Sequence, residues 1–199
     1  MDKNKTISKN TKKRLKSTEN YINGLFENYS KINVLRFDVG YTNEHCKEIT
    51  GEDLNNDINH MFNNMRSNKN LFDSKVGFIV KREEGVEKGV HAHVILFYNG
   101  QEIQKGAHLV DKIGEYWNND ITKGRGSYHN CNRNKYEKDG TGMIDHKDTE
   151  KRKILLENVT NYLCKDEQVA KSGSDDKTNK SFTRGTMPKE KSKKGRPRI

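Results

Sequence analysis

Two histidines separated by one residue, His91 and His93, have the types and spacing for metal chemistry. The surrounding residues predict two strands joined by a short turn at residues 84–89. Apolar residues occupy the even positions of both strands: Val76, Phe78, Val80, Ala92, Val94 and Leu96. Because successive side chains of a strand point to opposite faces, Glu83, His91 and His93 are expected together on the other face.

Two imidazoles and one carboxylate on a sheet face suit a divalent metal such as Mn²⁺ or Mg²⁺ and leave coordination positions open for a phosphate. Glu83, His91 and His93 are therefore predicted metal ligands. The plainer alternative is that both histidines are polar side chains on a solvated face, as is usual for an isolated His-x-His pair. No zinc site is expected at His129 and Cys131, because a tetrahedral site needs a second close pair of ligands.

A tyrosine followed three residues later by a lysine, Tyr162 and Lys165, is the second feature that could do chemistry. On a helix this spacing makes the side chains neighbours. The ammonium of Lys165 would then favour the phenolate of Tyr162 and offset negative charge on a phosphate. The alternative is that Tyr162 packs at the edge of an apolar stripe with its hydroxyl in water.

Hydrophobic periodicity predicts the elements that must position these residues. Alternation predicts a strand over residues 34–41, in which Asp38 is interpreted as a solvated charge that could lie near the metal hairpin. Helical spacing predicts helices at about residues 21–26, 53–65, 103–117 and 148–169. The expected fold class is α+β, with a central antiparallel sheet flanked by helices.

The chain length allows one domain with tails. We predict a basic N-terminal arm with a short helix over residues 1–30, a catalytic domain over 31–170 and a basic, disordered, DNA-binding tail over 171–199, where periodicity ends. The predicted DNA-binding residues of the tail are Lys193, Lys194, Arg196 and Arg198. Their sequence resembles an AT-hook core, which places arginines in a narrow minor groove. A generic basic tail that strengthens binding without reading sequence is equally consistent.

The formal net charge of +10 over 199 residues predicts a polyanionic partner, and nucleic acid is the leading candidate. A membrane partner is not expected, because no segment approaches the roughly 18 apolar residues of a spanning helix. The polar, lysine-rich N-terminus lacks the apolar stretch of a secretion signal. Three cysteines without a CxxC motif fit a reducing cytoplasm.

Several motifs follow one another in a fixed order along the chain. They are Glu83-x-Gly85-x-x-x-Gly89-x-His91-x-His93, Ile113-Gly114-x-Tyr116-Trp117, Cys131-Asn132, Gly142-Met143-Ile144, Tyr162-x-x-Lys165, Arg184-Gly185-x-Met187-Pro188 and Gly195-Arg196-Pro197-Arg198. From about Val34 to the end, this order resembles the YagK/YfjJ C-terminal domain family, which is found in prophages and is also described as inovirus replication-protein-like.

That family pattern is in turn similar to the HUH (His-hydrophobe-His) Rep endonucleases, whose fold is an antiparallel sheet flanked by helices. The resemblance implies that Glu83, His91 and His93 bind the metal. It also implies that Tyr162 is the single nucleophile, assisted by Lys165. The implied activity is nicking and joining of single-stranded or hairpin DNA through a tyrosine-DNA intermediate, in the replication of a phage or mobile element.

Some features depart from this pattern or leave other functions open. Ala92 and Glu84 stand where relatives often carry aromatic residues, so base stacking is not expected there. No GxxxxGK[ST] loop occurs, so unwinding is expected to come from a host helicase or replication protein. The alternatives are a DNA-binding regulator or decoy of the same fold that does not cut, and an RNA-binding accessory protein.

Overall fold

The computed structural model describes residues 7–165 and 181–189. The strands are β1 (Lys31–Tyr41), β2 (Lys75–Gly85), β3 (Gly89–Asn99), β4 (Gly126–Asn130), β5 (Gly142–Asp145) and β6 (Phe182–Arg184). Within the described residues they form one antiparallel sheet in the order β4-β1-β3-β2-β6, and β5 pairs with β1 on the same edge as β4. Helices flank this sheet, so the predicted α+β fold is confirmed.

Strands β2 and β3 form the predicted hairpin, and their register places Glu83 directly opposite His91. Gly89 begins β3 with φ of +61°, a left-handed conformation that glycine adopts without strain. On its other side β3 pairs with β1, which sets Asp38 opposite His93. The hairpin and a strand distant from it in sequence therefore contribute polar side chains to one sheet face.

Helices pack against both faces of the sheet, each over its own buried core. One face carries α2 (Gly51–Asn64), α3 (Lys69–Phe72), α4 (Gly106–Tyr116) and a π-helical turn (Trp117–Ile121). The other carries α1 (Lys9–Asn28), α5 (Thr149–Ile154), a π-helical turn (Leu155–Thr160) and α6 (Asn161–Cys164). Because Ile79, Ile95 and Phe97 pack under this second group, the odd-numbered hairpin face is apolar along much of its length. The polar residues occupy the end of that face.

Helix α1 is longer than the short helix predicted near residue 21. It begins after Ser8, whose hydroxyl accepts a hydrogen bond from the backbone N–H of Thr11 at 3.0 Å. Its buried side includes Thr11 and Thr18 as well as the apolar residues from Tyr21 onward. Buried threonines do not register as hydrophobic periodicity, so the first half of the helix was missed.

The helical segment predicted over residues 148–169 begins where it was expected but ends earlier. Asp148 caps its first turn by accepting from the backbone N–H of Lys151 at 2.9 Å. The last described helical residue is Cys164, because Lys165 has an extended backbone with φ of −69° and ψ of 150°. Lys165 therefore does not share a helical face with Tyr162.

Strand β6 pairs with β2 inside the segment predicted to be disordered, so that expectation does not hold for Phe182–Arg184. Gly185 allows this close packing, because a Cβ there would overlap the hydroxyl of Tyr21 in α1. The predicted DNA-binding residues of the tail lie outside the described residues: Lys193, Lys194, Arg196 and Arg198.

Candidate metal centre

Glu83, His91 and His93 converge at the end of the sheet face, as strand parity predicted. One ligand atom from each residue lies within 4.8 Å of the other two. Nε2 of His93 lies 3.2 Å and Nε2 of His91 lies 3.8 Å from Oε2 of Glu83. This His-His-Glu cluster could hold a divalent metal ion, for which two nitrogens and one oxygen are suitable donors.

Both imidazoles are oriented by a hydrogen bond at the ring nitrogen that faces away from Glu83. Nδ1 of His93 donates to Oδ1 of Asp38 at 2.6 Å, and Nδ1 of His91 donates to the carbonyl oxygen of Gly89 at 3.1 Å. The nitrogen left to bind a metal is Nε2 in each ring. Carbonyl and carboxylate partners of this kind fix the orientation of metal-binding histidines and raise their basicity. The donor set thus fits a divalent cation.

His93 lies between two carboxylates, Asp38 and Glu83. Burial opposes its charged form, but hydrogen bonds to both carboxylates outweigh burial and raise the pKa of His93 to about 9. Burial also opposes ionisation of Asp38 and Glu83, yet the hydrogen bond and charge of His93 lower the pKa of each carboxyl below its usual value. A cation that binds at Nε2 must therefore displace a proton.

Tyr162 lies against this cluster. Its hydroxyl donates to Oε2 of Glu83 at 3.1 Å, and its ring stands edge-on to that of His93 with centroids 5.5 Å apart. Burial, together with the charge of Glu83 and this hydrogen bond, raises the pKa of the phenol. The side chain is nevertheless 41% exposed, whereas Leu163 beside it is fully buried. Tyr162 is thus partly exposed next to the candidate ligands.

The model of the YagK/YfjJ C-terminal domain matches residues 1–185. The chain belongs to this family. No curated protein and no solved structure matches the chain. The family match starts before the expected Val34 and stops at Gly185, so it includes α1 and β6 but not the AT-hook-like motif. Within the described ranges, no helix combines the length and apolarity needed to cross a membrane.

In this YagK/YfjJ domain the cation that reaches the cluster from β2 is Lys81, which sequence reasoning missed. Lys81 is fully buried opposite His93, and its charge helps to lower the pKa of Glu83. Its Nζ donates to the carbonyl oxygen of Lys165 at 2.7 Å. Lys81 therefore ties the end of α6, just past Tyr162, to the strand of the candidate ligands. The sequence could have indicated this, because Lys81 and Glu83 are both odd-numbered residues of β2 and their side chains share a face.

The expectation that Asp38 could lie near the metal hairpin agrees with its place opposite His93, but its role was missed because it was interpreted as a solvated strand charge. The short hydrogen bond to His93 gives it a definite role in orienting that ring. Alternation with Leu35, Phe37 and Val39 did place Asp38 on the polar face of β1. Its partner strand, however, cannot be read from local sequence, since β1 and β3 are far apart along the chain.

Proposed function

We propose that this YagK/YfjJ domain is a metal-dependent endonuclease that nicks and rejoins single-stranded DNA through a covalent link to Tyr162. The observation that carries the proposal is the 3.1 Å hydrogen bond from the Tyr162 hydroxyl to Oε2 of Glu83. It sets a partly exposed tyrosine beside a cluster that could hold a metal. The net charge of +10 supports a nucleic-acid substrate.

In the proposed reaction the phenol oxygen of Tyr162 attacks the phosphorus of one phosphodiester. A bond forms between that oxygen and phosphorus, and the bond from phosphorus to the 3′ oxygen breaks. Oε2 of Glu83 already accepts the hydrogen bond of the phenol and is the acceptor toward which the phenolic proton moves. The departing 3′ oxygen takes a proton from water, and rejoining is the reverse of these steps.

Glu83, His91 and His93 would hold the metal through one carboxylate oxygen and the two Nε2 atoms. A bound Mn²⁺ or Mg²⁺ supplies Lewis-acid polarisation of the phosphate. The residues of the chain do the rest: Asp38 keeps the His93 ring in place, and Lys81 holds the end of the segment that carries Tyr162.

A nicking assay on circular single-stranded phage DNA tests this function. Wild-type protein with Mn²⁺ is expected to convert circles to linear strands, and chelation by EDTA should stop the reaction. Glu83→Gln should reduce cleavage at least about 100-fold, because it replaces a charged metal ligand and proton acceptor by a neutral amide. Glu84→Gln is the matched control: it changes the next, exposed residue of the hairpin and should cleave like wild type.

The competing function is DNA binding without cleavage. It predicts that the protein retards single-stranded DNA on a native gel while circles stay intact with Mn²⁺ or Mg²⁺. That result on phage and element origins would refute the endonuclease proposal. Equal cleavage by Glu83→Gln and Glu84→Gln would refute the assigned site.

A further inference from the structure

Arg36 lies on the same sheet face as the candidate metal centre. It is two residues from Asp38 on β1, so strand alternation directs both side chains to the face that carries His93. Val34, two residues further along, belongs to the buried core of that face. Arg36 thus stands at the boundary between this apolar core and the His-His-Glu cluster.

The guanidinium of Arg36 makes no hydrogen bond or ion pair with any other residue in ranges 7–165 and 181–189, and its Nε is shielded from solvent. Arg133 and Arg152, by contrast, pair with Asp111 and Asn23. Arg82 also has a shielded Nε without an acceptor, but its Nη1 donates to the hydroxyl of Thr183. A shielded guanidinium N–H without an acceptor is costly, since hydrogen bonds to charged groups contribute about 1.5–3 kcal/mol. An anion bound at this point would remove that cost.

Both backbone groups of Arg36, the N–H and the carbonyl, form hydrogen bonds to one side chain. The amide of Asn132 accepts from the N–H of Arg36 at 3.2 Å and donates to its carbonyl oxygen at 2.7 Å. Asn132 lies in a 3₁₀ turn between β4 and β5 and fills the gap that these strands leave along β1. The backbone of Arg36 is therefore held in place in the gap between β4 and β5.

We infer that Arg36 binds the DNA phosphate at the His-His-Glu cluster, an inference that rests on the proposed nuclease function. The guanidinium is planar and presents N–H donors in a fork that matches two phosphate oxygens. Its unpaired state, its fixed backbone and its place on the ligand face all agree with an anionic partner. In this assignment Arg36, rather than Lys165, is the cation that offsets the charge of the attacked phosphate.

The electrostatics of the site agree with this assignment. The charge of Arg36 acts to lower the pKa of both the Asp38 carboxyl and the Tyr162 phenol. For Tyr162 this opposes burial and Glu83, which raise the pKa of the phenol. Arg36 therefore lies within electrostatic reach of both the Asp38 carboxyl and the Tyr162 phenol.

The test measures binding of thymidine 5′-monophosphate to the full chain with Mn²⁺ by calorimetry. Its phosphate resembles the 5′ phosphate that Tyr162 would carry. Arg36→Gln keeps most of the side-chain length and should raise the Kd about 10- to 100-fold. Arg66→Gln, which removes an exposed arginine after α2, is the matched control and should bind like wild type. Stabilisation by Mn²⁺ in a melting experiment verifies that each variant retains the cluster.

Unchanged Kd in Arg36→Gln, or no binding by wild type, would overturn the inference. If Arg36→Gln does not fold, Arg36→Lys provides the same comparison, because it keeps the charge but loses the fork. Its Kd should rise about 3-fold or more, and an unchanged Kd would again overturn the inference.

Adduct formation separates this inference from the nuclease proposal. If wild type and Arg36→Gln form the tyrosine-DNA adduct at equal rates, the nuclease stands and the role of Arg36 fails. If nucleotide binding depends on Arg36 but no adduct forms in any protein, the phosphate site stands and the nuclease fails.

Discussion

Both ring nitrogens of His93 face carboxylates, at 2.6 Å for Asp38 and 3.2 Å for Glu83. Only the Glu83 side also meets the second imidazole and the Tyr162 hydroxyl. The two carboxylates therefore have different roles. Glu83 belongs to the cluster that could hold a metal, whereas Asp38 sets the orientation of the ring from behind.

Replacing His93 tests metal binding by the cluster. With Mn²⁺ at about 100 times its Kd, wild type should gain about 2.7 kcal/mol and melt about 5–10 °C higher. His93→Ala should lose this increment, because one of two nitrogen donors is gone. His60→Ala, at an exposed position of α2, should keep it. An equal Mn²⁺ increment in His93→Ala and wild type would exclude this metal site.

Replacing Asp38 tests its orienting role. Asp38→Ala should weaken Mn²⁺ binding about 10- to 100-fold, the usual effect of removing the partner of a metal-binding histidine. Asp38→Asn keeps an oxygen that accepts from Nδ1 and should lose less. Titration calorimetry measures both Kd values. If Asn and Ala weakened binding equally, the charge of Asp38 rather than its hydrogen bond would set the affinity.

The alternation of side chains along β2 and β3 predicted the His-His-Glu cluster, because antiparallel pairing and a short turn fix which side chains share a face. The same rule could not identify Arg36 on another strand, and it suggested that Asp38 lies near the hairpin without revealing its hydrogen bond to His93. The helical neighbour relation of Tyr162 and Lys165 was wrong for a similar reason. The hydrogen bond from buried Lys81 to the Lys165 carbonyl oxygen joins residues far apart in sequence, so the spacing of nearby residues could not predict it.

At the scale of elements, the edge of β1 is shared by two short strands. β4 pairs with its second half and β5 with its first, and the amide of Asn132 occupies the gap at Arg36. A side-chain amide can supply both the donor and the acceptor that a strand would supply. The Cys131-Asn132 motif therefore has a structural explanation that its sequence alone did not suggest.

Removing this amide should destabilise the sheet. Asn132→Ala leaves the backbone groups of Arg36 without partners and should cost about 1–3 kcal/mol of unfolding free energy. Asn134→Ala, at an exposed asparagine of the same connection, should change it by less than about 0.5 kcal/mol. Urea unfolding measures the difference. Similar values for both variants would show that Asn132 does not hold β1.

The elements that sequence patterns predicted well are those with strong apolar periodicity, such as the β2–β3 hairpin and α2. The first half of α1 was missed because its buried residues are threonines. Strand β6 was missed because its three residues are too few to show alternation. Both elements nonetheless pack on or pair with the strands that carry the site.

At the scale of the whole molecule, the sheet has a helical layer on each face, and the site occupies an end of one face that the second core leaves polar. The net charge of +10 is a property of the full chain, to which the basic residues beyond Lys189 contribute. We expect those residues to add long-range attraction to DNA rather than chemistry.

Truncation after Lys189 tests that division and keeps β6 intact. It removes five basic residues and one acidic residue. The slope of log K against log salt for single-stranded DNA should become shallower by about 0.7 for each phosphate that the shortened chain no longer neutralises. Fluorescence anisotropy over a salt series measures the slope, and cleavage at saturating DNA should persist. Loss of cleavage under saturation would place the removed residues in the active site.

The central claim is that Tyr162 becomes covalently attached to DNA, and a denaturing gel with end-labelled single-stranded DNA and Mn²⁺ tests it most directly. Wild type should give a protein-DNA adduct. Tyr162→Phe keeps the ring and should fold normally but give no adduct. Tyr136→Phe, which alters a tyrosine of similar exposure (40% against 41%), should give the wild-type yield. Undiminished adduct in Tyr162→Phe would contradict the account.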